Sequence, residues 1–100
     1  MTETQRPERV PLSCDVEFRR HGDARYRVDL IDFSREGCCI APPIRLEPGA
    51  SVWLRIPDME ATHGTVAWVR EWRVGVKFDR PFHSAVFNLI VARLSNPSAH

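Results

Sequence analysis

The stretch Tyr26-Arg-Val-Asp-Leu-Ile-Asp-Phe-Ser-Arg-Glu-Gly-Cys-Cys-Ile-Ala41 decides how the rest of the chain reads. Its first part alternates, with Tyr26, Val28 and Leu30 apolar and Arg27 and Asp29 between them. Successive side chains of a strand point to opposite faces, so this alternation predicts a half-buried strand. Asp32-Phe-Ser-Arg-Glu-Gly37 then interrupts the pattern with turn-forming residue types, and Cys38 to Ala41 reads as a short further strand. Pro42-Pro43 ends that strand, because proline has no N–H to give to a sheet ladder.

The same period extends in both directions. Upstream, Leu12, Cys14, Val16 and Phe18 alternate with Ser13, Asp15, Glu17 and Arg19, and His21-Gly22-Asp23 supplies turn chemistry, so the first two strands are expected to form a hairpin. Downstream, Pro48-Gly49 turns the chain before Val52, Leu54 and Ile56, and Pro57-Asp58 turns it again. A fifth strand is predicted over about 62–70 and a sixth over 73–78. Short strands separated by regular turns favour a closed antiparallel barrel or a sandwich. The last segment changes period. Phe82, Val86, Leu89, Ile90 and Leu94 fall at helical spacing, with Pro81 or Ser84 as the start and Asn96-Pro97 as the stop. Such a stripe must cover something apolar, and the mouth of the barrel is the expected place. The first nine residues carry Pro7 and no apolar periodicity, which predicts a mobile arm.

Composition narrows the function. At 100 residues and a formal net charge of +1, the chain suits one domain and lacks the charge for duplex DNA or an anionic membrane. No stretch approaches the roughly 18 apolar residues of a membrane span, and the N-terminal residues lack the apolar core of a secretory signal, so a cytoplasmic protein is expected. Lys77 is the single lysine against 13 arginines, so arguments from arginine must rest on position and not on abundance. The three cysteines, Cys14, Cys38 and Cys39, read as reduced thiols. Cys38 and Cys39 are adjacent on a strand and should face opposite ways, and the histidines are scattered, so no zinc spacing appears. Phosphate-binding loops, nucleophile elbows and metalloprotease motifs are missing as well, and catalysis is not expected.

The bend Asp32-x-Ser34-x-x-Gly37, flanked by strands and preceded by Arg6 and Arg9, resembles the hallmark of the PilZ domain family. That family pairs an N-terminal RxxxR motif with [D/N]xSxxG after the second strand. The resemblance extends over the Arg-Val-Pro-Leu run at 9–12, Val-Ala-Trp-Val at 66–69 and Val-Gly-Val-Lys-Phe at 74–78. It implies an all-β, six-stranded antiparallel PilZ-type barrel with a C-terminal α-helix. The expected layout is a single domain, 1–100, with an arm over 1–10, a barrel over 11–80 and a helix over 81–95. It also implies a binding module with no cofactor of its own, whose ligand is cyclic di-GMP. A protein partner is expected in motility, polysaccharide export or related signalling.

By the resemblance, Arg9 matches the second arginine of RxxxR and Arg6 an additional one. Arginine offers a planar fork of donors for phosphate oxygens and the O6/N7 edge of guanine. Asp32 is implied to accept from a guanine N1–H and amine, Ser34 to offer a hydroxyl, and Gly37 to permit a positive φ and close approach by the ligand. The first position of RxxxR falls on Gln5, which lacks the charge to neutralise a phosphate. Losing one charge-assisted hydrogen bond costs roughly 1.5–3 kcal/mol. An adaptor that keeps the fold but has lost the ligand is therefore the alternative. Local readings stand beside these. Asp32 and Ser34 serve equally as plain turn formers, and Arg6 and Arg9 as solvated charges. Trp68 shares the face of Val66 on a regular strand, which makes it barrel core, whereas the resemblance makes it a stacking platform for guanine. Trp53 and Trp72 receive no ligand role.

Overall fold

The period-two runs become six strands: β1 (Val10–Arg20), β2 (Arg25–Phe33), β3 (Gly37–Ala41), β4 (Ser51–Arg55), β5 (Thr62–Arg70) and β6 (Arg73–Phe78). One helix follows, α1 (Ser84–Leu94). The computed structural model describes residues 10–20, 22, 25–57 and 59–94. Arg6 and Arg9, with Gln5, lie outside the described residues.

All neighbouring strands pair antiparallel, in the order β1-β2-β3-β6-β5-β4, and β4 returns to β1 to close the barrel. Closure removes every free strand edge. The inward positions are those of the apolar alternation: Val16 and Phe18 of β1, Val28 and Leu30 of β2, Val52 and Leu54 of β4, Val74, Val76 and Phe78 of β6. Phe18, Phe33 and Ile40 are fully buried, and each such side chain contributes roughly 1.5–3 kcal/mol by leaving water. Six strands make a narrow barrel, which side chains fill. The void among Val16, Leu30, Phe33, Leu54 and Phe78 is only about 10 Å³. That part of the core leaves no room for a ligand.

The helix closes one mouth with the face its spacing suggests, rotated so that Phe87 replaces Leu89. Phe87 and Ile90 are buried, Val86, Val91 and Leu94 pack beside them, and Leu89 is 56% exposed. Phe87 is drawn in because its ring stacks on Phe33 at 5.3 Å. The helix begins at Ser84, three residues beyond Pro81. Tertiary bonding holds the segment between them out of the helix: the Phe82 N–H donates to the Arg35 carbonyl (2.9 Å) and the Phe82 carbonyl accepts from Arg35 Nε (2.9 Å). His83 caps the helix, its Nδ1 accepting the Ala85 N–H at 3.1 Å.

Candidate functional site

Of three register irregularities in the barrel, two decide how Asp32 and Trp68 reach its outer wall. Between β2 and β3, Leu30 pairs with Ile40 but Asp32 pairs with Cys39, so Ile31 is an extra residue. Between β5 and β6, Val66 pairs with Val76 but Trp68 pairs with Gly75, so Ala67 is extra. Each is a β-bulge, and a slip of one residue turns every later side chain to the opposite face. Without the first bulge Asp32 would follow Leu30 into the core, and Phe33 would point outward. With it, Phe33 is buried and Asp32 lies on the outer face.

The second bulge overturns the expectation that Trp68 shares a face with Val66. Val66 is core, whereas Trp68 is half-buried and belongs neither to the core nor to the residues packed against it. The indole instead lies over Gly75, where a Cβ would collide with the ring. The result is one lateral row across four strands, Asp32–Cys39–Gly75–Trp68, read directly from the pairing. A carboxylate stands at one end and a flat aromatic at the other, with two small residues as the floor. Cys38 faces the core and Cys39 the row, on opposite faces as adjacent strand residues must be.

The bend that follows Asp32 is held from within and from both sides. The Ser34 N–H donates to the Gly37 carbonyl (2.8 Å), and the Ser34 hydroxyl donates to the same oxygen (3.2 Å). That hydroxyl also accepts from the N–H groups of Glu36 (3.2 Å) and Gly37 (3.1 Å). Ser34 is buried and its hydrogen-bonding capacity is used inside the bend, so its visible role is to shape the backbone. Gly37 does not have the expected positive φ, which among the described glycines belongs to Gly22 and Gly49. Glycine is needed there because a Cβ would collide with the Val76 carbonyl oxygen across the β3–β6 ladder. Outside the bend, the Phe78 N–H donates to the Glu36 carbonyl (2.8 Å) and Arg35 grips Phe82. Beneath it, the ring of Phe33 meets those of Phe78 (6.0 Å), Phe82 (5.7 Å) and Phe87 (5.3 Å).

The N-terminal strand enters beside this row. Val10 pairs with Phe33 and Pro11 with Asp32, so the described chain begins at the bend. On β6, Val74, Val76 and Phe78 point inward, which turns Arg73, Gly75 and Lys77 outward. Lys77 stands between Gly37 and Thr65, adjacent to the row. Arg70 places its guanidinium 5.6 Å from the Trp68 ring. None of Gly75, Lys77 and Arg70 was singled out from the sequence as a site residue. The alternation Arg73-Val-Gly-Val-Lys-Phe78 carried the signal for two of them, since its polar and small members share one face.

A carboxylate can bond the N–H edge of a guanine, a flat indole can stack on a purine, and surrounding cations can neutralise phosphates. The wall offers little for catalysis. His63 Nδ1 is hydrogen-bonded to the Asp79 carboxylate, but this pair sits where β5 meets the end of β6, and the Asp79 N–H is tied to the His63 carbonyl at 3.0 Å. Burial, with Asp15 and Asp29 adding to it, pushes the Cys14 thiol above its usual range and keeps it protonated at neutral pH. Among the described residues no group of histidine, cysteine and carboxylate side chains could hold a metal ion.

The family model of the PilZ domain matches residues 3–94. Among solved structures, the chain is similar to the PilZ domain of CeSA from a cellulose-synthesizing bacterium, with a TM-score of 0.59 and 18% identity. That match covers 93% of this chain and 99% of the other, and at such identity it speaks for the fold. No curated protein matches the chain in sequence.

Proposed function

Because the chain belongs to the PilZ domain family, a family of binding modules and not of enzymes, we propose that it is a receptor for cyclic di-GMP that acts in the bacterial cytoplasm and signals to a partner protein. The observation that carries this reading is the Asp32–Cys39–Gly75–Trp68 row, which two separate bulges bring to the outer wall. A strand without bulges would send the carboxylate into the core.

In this reading Asp32 accepts from the N1–H and amine of one guanine, and Trp68 stacks on a base. Ser34 and Gly37 hold the bend that presents Asp32, and Arg6 and Arg9 close over the ligand from the N-terminal side. The entry of β1 beside Asp32 supports that last role, since Arg9 is bonded to Val10, and Val10 pairs with Phe33. A ligand held jointly by the N-terminal arginines and the barrel wall gives a new surface that a partner can read.

Titration calorimetry of the purified chain with cyclic di-GMP tests the proposal. Arg9→Ala and Asp32→Ala are each expected to weaken binding about tenfold or more, as loss of a charge-assisted contact does. Ser34→Ala lowers the melting temperature as well as the affinity, because it takes the hydroxyl acceptor from the buried Gly37 N–H. Arg93→Ala, in the last turn of α1, leaves binding unchanged. Absence of binding heat at high micromolar ligand rejects the receptor. Gln5 favours a second reading, an adaptor that keeps the fold without the messenger. Gln5→Arg separates the two: a large gain from a silent baseline supports the adaptor, and a small gain on existing affinity supports the receptor.

A further inference from the structure

Beyond Trp68 the outer wall carries two guanidinium groups to which the receptor reading gives no task. β5 and β6 are joined by the two-residue turn Glu71-Trp72, and Arg70 pairs directly with Arg73 across it. Glu71 adopts a φ of 53°, the left-handed region that a residue other than glycine enters at a cost. That tight turn keeps the hairpin in register to its last pair. Val69 and Val74, the next pair inward, pack on or within the core. Arg70 and Arg73 therefore project from the same outer face as Trp68 and Gly75, and both are exposed.

Each guanidinium is set beside an indole. Arg70 lies 5.6 Å from the Trp68 ring and Arg73 lies 4.6 Å from the Trp72 ring, which is 57% exposed. Like charges placed directly opposite on a strand pair repel each other. Among the described residues neither arginine has a carboxylate partner within ion-pair distance, whereas Arg27 has Asp15 and His63 has Asp79. Glu71, in the turn between them, forms no ion pair with either. The hairpin tip thus holds two positive charges together with no direct ion pair among the described residues, on side chains already positioned by aromatic contacts. An anion shared by both groups would remove the repulsion, and fixed guanidinium forks lose little freedom in gripping it.

We infer that Arg70 and Arg73 form a phosphodiester subsite of the proposed dinucleotide site. The inference rests on the cyclic di-GMP reading and adds a second set of contacts to it. Arg70 is two residues along β5 from Trp68, about 7 Å at the usual strand rise, a span that a ribose bridges between base and phosphate. A guanine stacked on Trp68 thereby brings its phosphate to the hairpin tip. The charge that Gln5 removes from the arm is supplied here from the barrel. In this assignment β5–β6 holds one phosphate of the ring.

The molecule contains its own control. Arg19 and Arg25 are also directly opposed, on β1 and β2, and Arg19 lies beside an indole, 5.8 Å from Trp53. Arg25 is seven residues from Asp32 along β2, about 23 Å away at the usual rise, and belongs to another part of the wall. The test compares calorimetric titrations with cyclic di-GMP of the wild type, the Arg70→Gln/Arg73→Gln variant and the Arg19→Gln/Arg25→Gln variant. Both variants lose the same charge, from positions that are exposed except for the half-buried Arg19, and unliganded melting curves show whether each is folded. The subsite requires affinity to fall at least about tenfold in the first variant, with less than a twofold change in the second. An equal fall in both, or no fall in the first, overturns the subsite and leaves the receptor standing. No binding heat with the wild type overturns the receptor and the subsite with it.

Discussion

Gly75 and Trp68 form a close residue-scale fit on the outer wall. A glycine inside a strand normally weakens it, yet here the missing side chain is the seat of the indole. Gly75→Ala is expected to fold and to lift Trp68 from the floor of the row. The measurable result is a changed tryptophan emission and a weakened cyclic di-GMP titration. In a Trp68→Ala background the same substitution should have far less effect on affinity, since the collision is gone, and a double-mutant cycle reads that coupling. Equal effects in both backgrounds would show that Gly75 acts by another route. Gly37 teaches the same lesson from the other side of the site. Its residue type was legible in the motif, but the reason for it, close passage of the Val76 carbonyl, belongs to a neighbouring strand.

At the scale of elements, the strands were readable because a half-buried strand writes its two faces into alternate positions. Bulges defeat that reading locally. Ile31 and Ala67 resemble ordinary members of an alternating run, and only the partner strand reveals each as the extra residue. The helix stripe held at Phe82, Val86, Ile90 and Leu94 and missed at Leu89 for a related reason. Spacing identifies an apolar stripe, but Phe87 and Leu89 flank it on opposite sides of the helix, and the ring cluster around Phe33 chooses between them. Phe87→Ala is expected to lose about 3–5 kcal/mol of stability, as truncation of a buried phenylalanine does. Leu89→Ala should stay within about 0.5 kcal/mol, as exposed positions do. Urea denaturation of the two variants checks this, and comparable losses would place Leu89 in the packed face after all.

For the whole molecule, the decisive fact is that the barrel is solid. With a void of about 10 Å³ at its centre, ligand binding needs no opening of the core and adds contacts to a folded wall. A ligand that binds only the native state stabilises it by mass action, about 2.7 kcal/mol at a hundredfold excess over its dissociation constant. For a domain of this size that corresponds to a rise of roughly 10–20 °C in melting temperature. Thermal melts with cyclic di-GMP, beside GMP as a control, should show the rise with the cyclic dinucleotide alone. Closure also decides where the N-terminal strand begins. β1 pairs with β2 along most of its length and with β4 at its other end, which leaves its first residues beside the bend.

The strands, the bend, the C-terminal helix and the family could be read from the order of residues, because backbone propensity and side-chain period are local properties that each segment carries alone. That order also named Asp32, Ser34, Gly37 and Trp68. Tertiary structure alone decided which way Asp32 and Trp68 point, that Ser34 is turned inward, and that Gly75, Lys77, Arg70 and Arg73 share their wall. The physical reason is register: a side chain's direction depends on the pairing of its strand, and a single unpaired residue reverses it.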